Sequence, residues 1–433
     1  MTNPDQPDIG DAVLGRTATM RVMAALLVAA PAVVLRVTGT ALPAPIAVVV
    51  FGAAVLAAVA LLMWAAEAAR ADISGSLALA MLALVAILPE YAVDIFFAYS
   101  SGHRPEFAAY ATANMTGANR LLIGVAWPLL VFTAIWAVHR RSAPVPGDTT
   151  GEPTGWLRAG VVVAGHRRVE LLFLGAATVY ALIIPLTGRL AWYDAVVLGG
   201  LFAAYLWRIR GGAESEEELT GVAATVAAQP RVRRRLLVVL LFATAAVVIL
   251  SAAEPFGEAL VDAGSELGID RFLLVQWLAP IASESPEVLV AITFALRGRA
   301  DDGMGALLAA KLNQWTLLVA CLPIAYYLGG GNAAGLPLDA RQIEEFVLTT
   351  AQTVLGIAVL INLRLTGAKA LLLLGLFLAQ FVLPNEHARY IISVIYALVA
   401  VVFFLAQRRD VRPLVTAALR NPERQEISEP RST

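Results

Sequence analysis

Two Pro-Glu pairs lie inside long hydrophobic segments, and their residue types and surroundings could support ion chemistry. Pro89-Glu90 follows the stretch ALVAIL, and Pro286-Glu287 precedes VLVAITFAL. An ionisable side chain at the depth of a lipid bilayer is costly, so it marks a functional site. We expect each proline to break its helix, because it removes a backbone donor and leaves a carbonyl one turn earlier without its helical partner. A bound cation can serve as the partner that this carbonyl needs in lipid.

Further acids lie at helical spacing from both glutamates. Asp94 is four residues after Glu90, and Glu284 is three residues before Glu287, so each pair of acids shares one helix face. If all four acids and Lys311 face one site, its formal charge is −3. The acids cannot all stay ionised at low dielectric without cations, so some should hold protons. Hard oxygen ligands of this kind suit Ca²⁺ or Na⁺ and not soft metals.

Lys311 has three interpretations that the sequence leaves open. It is one of only two lysines in a chain that otherwise uses arginine. It is a fixed counter-charge to Glu287 or Glu284, or a titrating lysine that couples transport to protons, since buried lysines shift readily. In the third interpretation it extends to a membrane interface and has no role.

The composition is that of a polytopic membrane protein. The chain has 433 residues, of which 59% are hydrophobic, and its mean hydropathy is +0.73. A net charge of −1 does not favour nucleic acid. The single cysteine, Cys321, excludes internal disulfides and zinc–cysteine clusters. No H-E-x-x-H motif or nucleophile–base pair is visible, so we predict that the protein is not an enzyme and uses no cofactor.

The hydrophobic pattern predicts an all-α protein of about twelve transmembrane helices. The predicted spans are 20–37, 45–67, 74–100, 107–138, 168–188, 190–208, 235–262, 271–297, 303–328, 343–363, 367–384 and 389–407. The long 107–138 span contains Asn114, Gly117 and Asn119, so we expect it to be broken or kinked. Arginine-rich loops at 139–168 and 208–235 belong in the cytoplasm, which also places both termini there. We therefore predict a multi-pass protein of the plasma (inner) membrane.

The two glutamates are 197 residues apart, and this offset indicates an internal repeat. The same offset pairs Asn114 with Lys311. Because each repeat holds five helices, an odd number, the second enters the membrane from the opposite side, as in secondary transporters with a midplane site. The predicted organisation is a disordered N-terminus (1–19), an extra helix (20–44), repeat 1 (45–208), a linker (209–234), repeat 2 (235–384), an extra helix (385–409) and a tail (410–433).

At these motifs the chain resembles the sodium/calcium exchanger family of the calcium/cation antiporter superfamily. That family has two inverted repeats, each with a G-T-S-x-P-E-like segment and then a G-N-x-x-G-S-N-like segment. The counterparts here are VAILPE (85–90) with ANMTGAN (113–119), and ASESPE (282–287) with KLNQW (311–315). The resemblance implies that Glu90 and Glu287 coordinate the transported cation, and that Asn114 lines the same site.

The chain also departs from the family pattern near both Pro-Glu pairs. Ala86 and Ile87 replace the expected hydroxyl pair in the first repeat. In the second, Ser283 keeps a hydroxyl but Glu284 replaces the other, and Lys311 stands where the family has Asp or Asn.

The function expected from these features is antiport of Ca²⁺ against Na⁺ or H⁺ by alternating access. The alternative is Na⁺/H⁺ exchange on the same fold, with Lys311 taking part in proton coupling. The expected partners are membrane lipid and inorganic cations, and the sequence leaves the oligomeric state open.

Overall fold

The protein, seen in a computed structural model, is described over residues 9–69, 71–72, 88–141, 155–209, 219, 221–268, 270–383 and 385–419. Nearly all of these residues are helical, as predicted. The helices are α1 (Ile9–Thr38), α2 (Ala44–Ala69), α3 (Leu88–Ser101), α4 (Phe107–Leu121), α5 (Trp127–Arg141), α6 (Arg168–Ala181), α7 (Ile184–Thr187), α8 (Trp192–Ile209), α9 (Gly221–Ala227), α10 (Arg231–Leu267), α11 (Arg271–Leu296), α12 (Ala300–Asn313), α13 (Val319–Leu328), α14 (Ala340–Leu360), α15 (Gly367–Val382), α16 (Glu386–Ala406) and α17 (Arg408–Leu419).

The predicted spans coincide with these helices, except that residues 74–87 of the third span lie outside the described part of the chain. Among the residues that the structure describes, eight helical stretches are long and apolar enough to cross a membrane. They are Gly15–Thr38, Ala44–Ala69, Phe107–Arg140, Gly165–Thr187, Arg231–Gly264, Ala300–Leu328, Ala340–Leu360 and His387–Ala406. A helix suits this environment because all its backbone groups bond within the segment.

The boundaries near the termini and the linker differ from the prediction. Disorder over 1–19 is wrong for residues 9–19, which belong to α1. Their alanine and leucine residues favour helix and extend α1 beyond the predicted span. The predicted linker 209–234 contains α9 and the start of α10, and the predicted tail 410–433 contains most of α17. Residues 1–8, most of the acidic stretch before α9, and residues 420–433 lie outside the described residues.

The irregularity predicted within 107–138 is a π-helical turn. It covers Leu122–Ala126, between α4 and α5. A second π-helical turn covers Gln314–Leu318, between α12 and α13. Such turns carry an extra residue inside an α-helix and recur at functional sites. They therefore provide a structural landmark in each repeat.

The chain divides into two compact units. The first comprises Met1–Phe96 and Arg210–Pro286, and the second comprises Phe97–Ile209 and Glu287–Thr433. The first division falls within α3, between Phe96 and Phe97, and the second falls within α11, between Pro286 and Glu287.

In the first unit, α2 packs closely against α10. A Cβ atom at Gly52 would lie 3.0 Å from Phe256 Cε2, so the missing side chain permits this approach. Just after α2, both carboxylate oxygens of Asp72 accept hydrogen bonds from the Arg234 guanidinium, at 2.7 and 2.8 Å. This pairing lowers the pKa of Asp72 to about 2 and joins the end of one helix to the start of the other.

The second unit has a hydrophobic core that its helices share. The core includes Trp127, Leu171, Leu308, Leu355, Leu373 and Tyr396, from α5, α6, α12, α14, α15 and α16. Side-chain caps fix the starts of two of these helices. Asp339 and Gln342 form a capping box at α14, and Asn385 Oδ1 accepts a hydrogen bond from Ala388 N at α16.

Two short antiparallel pairings tie the repeats together within the second unit. Strand β1 (Gly160–Val162) pairs with β4 (Arg364–Thr366), and β2 (Arg189–Leu190) pairs with β3 (Leu336–Pro337). The predicted topology puts both members of the first pairing in the cytoplasm and both members of the second outside. The pairings are therefore compatible with the predicted sidedness of the spans.

Candidate functional site

The first Pro-Glu pair lies at the first described residues of α3. Glu90 is 6% exposed and Asp94 is fully buried. Because the two carboxylates are one helical turn apart, they lie on the same helix face, as the sequence predicts. The preceding residues 85–87, which carry the missing hydroxyl positions, lie outside the described residues.

The second Pro-Glu pair lies within α11, which runs through Pro286 without a break. Ser283 and Glu284 belong to the first unit and are 6% and 4% exposed. The Ser283 hydroxyl donates to the Pro280 carbonyl at 3.4 Å, so it is engaged within its own helix. Pro286 has no N–H, so the carbonyl four residues earlier receives no helical hydrogen bond from it.

Glu287 opens the portion of α11 that belongs to the second unit. Its Oε2 atom is buried and accepts no hydrogen bond from the residues that the structure describes. A buried carboxylate oxygen without such a bond is costly, because its hydration has been removed without replacement. In the same unit, Asn114 is fully buried in α4.

Lys311 is fully buried, which excludes its extension to a membrane interface. Its Nζ donates to Asn119 Oδ1 at 2.5 Å and lies 4.7 Å from the centre of the Trp315 ring. Asn119 is held in turn, since its Nδ2 donates to the Met115 carbonyl at 2.9 Å. The ammonium therefore has a defined position between α4 and α12.

The π-helical turns correct the pairing that the 197-residue offset gives. Asn119 lies three residues before the turn that starts at Leu122, and Lys311 lies three residues before the turn that starts at Gln314. In this frame the counterpart of Lys311 is Asn119, the residue that it contacts, and not Asn114. The reason is that 32 residues separate Glu90 from Leu122, whereas only 27 separate Glu287 from Gln314.

Sequence reasoning missed a buried ionic network in the second unit. Arg120 Nη2 contacts Glu345 Oε2 at 2.5 Å, and Arg389 contacts both Glu345 and Glu344. None of the four residues is more than 4% exposed. Gln352 Nε2 also donates to the Arg120 carbonyl at 3.2 Å. The available sign was the presence of charged residues in otherwise apolar spans, which marks a buried partner or a functional role.

The described residues contain no group of three or more His, Cys, Asp or Glu residues arranged to hold a metal ion. The structure does bring Glu90 and Asp94 onto one face of α3, places Ser283, Glu284 and Glu287 along α11, and joins Lys311 to Asn119.

Comparison with known proteins identifies the family. The family model described as sodium/calcium exchanger protein matches residues 43–210 and 237–385. The crystal structure of the H⁺/Ca²⁺ exchanger CAX is 38% identical, with a TM-score of 0.85, over 93% of this chain and 98% of that one. The Ca²⁺/H⁺ antiporter protein YfkE shares the fold, with a TM-score of 0.57 at 15% identity, over 87% and 99% of the two chains.

No match was found among curated protein sequences. The family match covers most of the chain and bears out the resemblance inferred from the Pro-Glu pairs, the all-α polytopic fold and the prediction of a transporter in place of an enzyme. The chain therefore belongs to the sodium/calcium exchanger family and is a multi-pass membrane antiporter of cations.

Proposed function

We propose that the protein exchanges Ca²⁺ for protons by alternating access, with Glu90 and Glu287 as the cation-binding carboxylates. The observation that carries this proposal is the presence of a buried glutamate carboxylate oxygen beside a helix proline in each repeat. Two carboxylates can be neutralised by one Ca²⁺ or by two protons. When Ca²⁺ and protons replace each other at these carboxylates, neither loaded state leaves a buried carboxylate with an uncompensated charge.

The choice of protons as the coupling ion is supported by the relative of known structure. CAX is described as an H⁺/Ca²⁺ exchanger, and it covers nearly the whole of this chain at 38% identity. Asp94, Glu284, Ser283 and Asn114 are the further oxygen ligands that we propose for the transported cation. All four are buried and lie on the helices that carry the Pro-Glu pairs or on α4.

Lys311 has the role of a counter-charge in this proposal. A buried ammonium held at a fixed point by Asn119 offsets part of the negative charge of the acids. It thereby lowers the number of cations needed to neutralise them. Participation of Lys311 in proton coupling belongs to the alternative function, Na⁺/H⁺ exchange.

We propose that the protein resides in the plasma (inner) membrane with both termini in the cytoplasm. The arginine-rich loops support this orientation. The pairings of β1 with β4 and of β2 with β3 are compatible with it, since each joins segments expected on one side.

The test is ion flux in proteoliposomes that contain a Ca²⁺ dye and a pH dye, under imposed H⁺ or Na⁺ gradients. We expect Ca²⁺ movement driven by a proton gradient, and its loss in Glu90→Gln and in Glu287→Gln. Glu106→Gln, at an exposed position before α4, is the matched control and should retain flux. Full flux in both central variants would exclude these carboxylates, and Na⁺-driven pH change without Ca²⁺ movement would establish the alternative.

A further inference from the structure

The ionic network in the second unit links the added C-terminal helix to the residues that hold Lys311. Arg389 lies on α16, beyond residue 385, where the second family-matched segment ends. Its Nε lies 3.4 Å from Glu344 Oε1, and its Nη1 donates to Glu345. Both glutamates are near the start of α14, where the capping box with Asp339 fixes the helix.

Glu345 connects Arg389 on α16 to Arg120 on α4. Its second oxygen contacts Arg120 at 2.5 Å, and Arg120 Nε donates to the Thr116 carbonyl at 3.3 Å. The backbone is held from the other side, because Gln352 on α14 donates to the Arg120 carbonyl. Arg120 directly follows Asn119, the acceptor for the Lys311 ammonium. The segment that positions Lys311 is thus fixed by two contacts with α14 and one hydrogen bond within α4.

The charge distribution suggests a role beyond stability. Two arginines and two glutamates are nearly inaccessible to solvent, so burial of the network carries a desolvation penalty for all four side chains. Buried ion pairs give little net stability compared with apolar residues of similar volume, but they can select one packing arrangement. Arginine suits this role because its planar guanidinium can bind two carboxylates at once.

We propose that Arg389, acting through Glu345 and Arg120, is a positioning residue for the Lys311 ammonium. This inference rests on the proposed function for its effect on transport. When α16 no longer holds Glu345, Arg120 and Asn119 lose their fixed register and the ammonium is released. A released ammonium forms ion pairs with nearby carboxylates. When it pairs with the carboxylates that bind the transported cation, it competes with Ca²⁺. The KM for Ca²⁺ therefore rises while kcat per folded transporter is retained.

The test uses Arg389→Met/Glu344→Gln, which removes one charge of each sign and keeps the contact between Arg120 and Glu345. We expect its KM for Ca²⁺ to rise by roughly threefold or more, as for residues that share one network. In a Lys311→Met background, the same pair of substitutions should leave the KM for Ca²⁺ equal to that of Lys311→Met alone. Arg299→Gln/Asp302→Asn, which removes a partly exposed pair at the start of α12, is the control and should behave as the wild type.

An equal shift of KM with and without Lys311 would overturn the inference, and so would an unchanged KM. Thermal unfolding in detergent gives a second measurement that needs no transport. It is made on the wild type, Arg389→Met/Glu344→Gln, Lys311→Met and the variant that combines all three substitutions. Coupling between the Arg389/Glu344 pair and Lys311 is expected in unfolding as well. If the wild type moves no Ca²⁺, the proposed function fails, but the unfolding measurements still decide the inference. The inference is overturned if the effects of the Arg389/Glu344 pair and of Lys311 on unfolding are strictly additive.

Discussion

Glu345 is the residue on which the buried ionic network depends, and its removal should be strongly destabilising. Its two oxygens contact Arg120 and Arg389, and the carboxylate is fully buried. In Glu345→Leu, Arg389 keeps Glu344, but Arg120 loses the carboxylate that it contacts at 2.5 Å. Two charge-assisted hydrogen bonds, at roughly 1.5–3 kcal/mol each, are lost. We therefore expect the free energy of unfolding to fall by about 3–5 kcal/mol, the usual effect of breaking a buried pair.

The double variant Arg120→Met/Glu345→Leu should recover most of this loss. It removes both charges, fills a similar volume with apolar groups, and leaves Arg389 with Glu344. Buried pairs replaced in this way are often neutral, so we expect it to be more stable than the single variant by about 2 kcal/mol or more.

The free energies are measured by titrating the purified protein with sodium dodecyl sulfate in mixed micelles and following circular dichroism. Asp302→Asn is the control, because the pair between Arg299 and Asp302 is partly exposed and contributes about 1 kcal/mol at most. The reasoning is refuted if the double variant is no more stable than Glu345→Leu. It is also refuted if Glu345→Leu costs no more than the control.

Two further predictions concern the surfaces outside the membrane spans. Because Arg234 lowers the pKa of Asp72 from 3.8 to about 2, the carboxylate stabilises the fold above about pH 4 and loses this effect as the pH falls toward about 2. In Asp72→Asn, the unfolding free energy should fall less steeply as the pH drops from about 4 to about 2. An unchanged slope in this range would contradict the role of the pair. In a Cys321→Ala background, Ala334→Cys should react with an impermeant thiol reagent from outside the cell and Gly155→Cys only after lysis; the opposite pattern would invert the topology.

Much of the architecture could be predicted from the sequence. Long apolar segments must be helices in lipid, because no other open structure satisfies the backbone there. Their number and the arginine bias of the loops then predict the order of the spans and an orientation for them. The Pro-Glu pairs stand out for the same reason, since a carboxyl group within such a segment is costly wherever the segment packs.

The partners of the buried charges were decided by tertiary structure alone. Lys311 contacts Asn119, and Arg120 contacts Glu345, which is distant in the sequence. Periodicity shows which face of a helix a residue occupies but not which helix packs against that face. The offset between the glutamates fails for Lys311 because the second repeat is shorter between its glutamate and its π-helical turn. The sequence by itself thus determined the spans and their acids, whereas helix packing selected the ion pairs, because such contacts depend on distances between helices that no local pattern encodes.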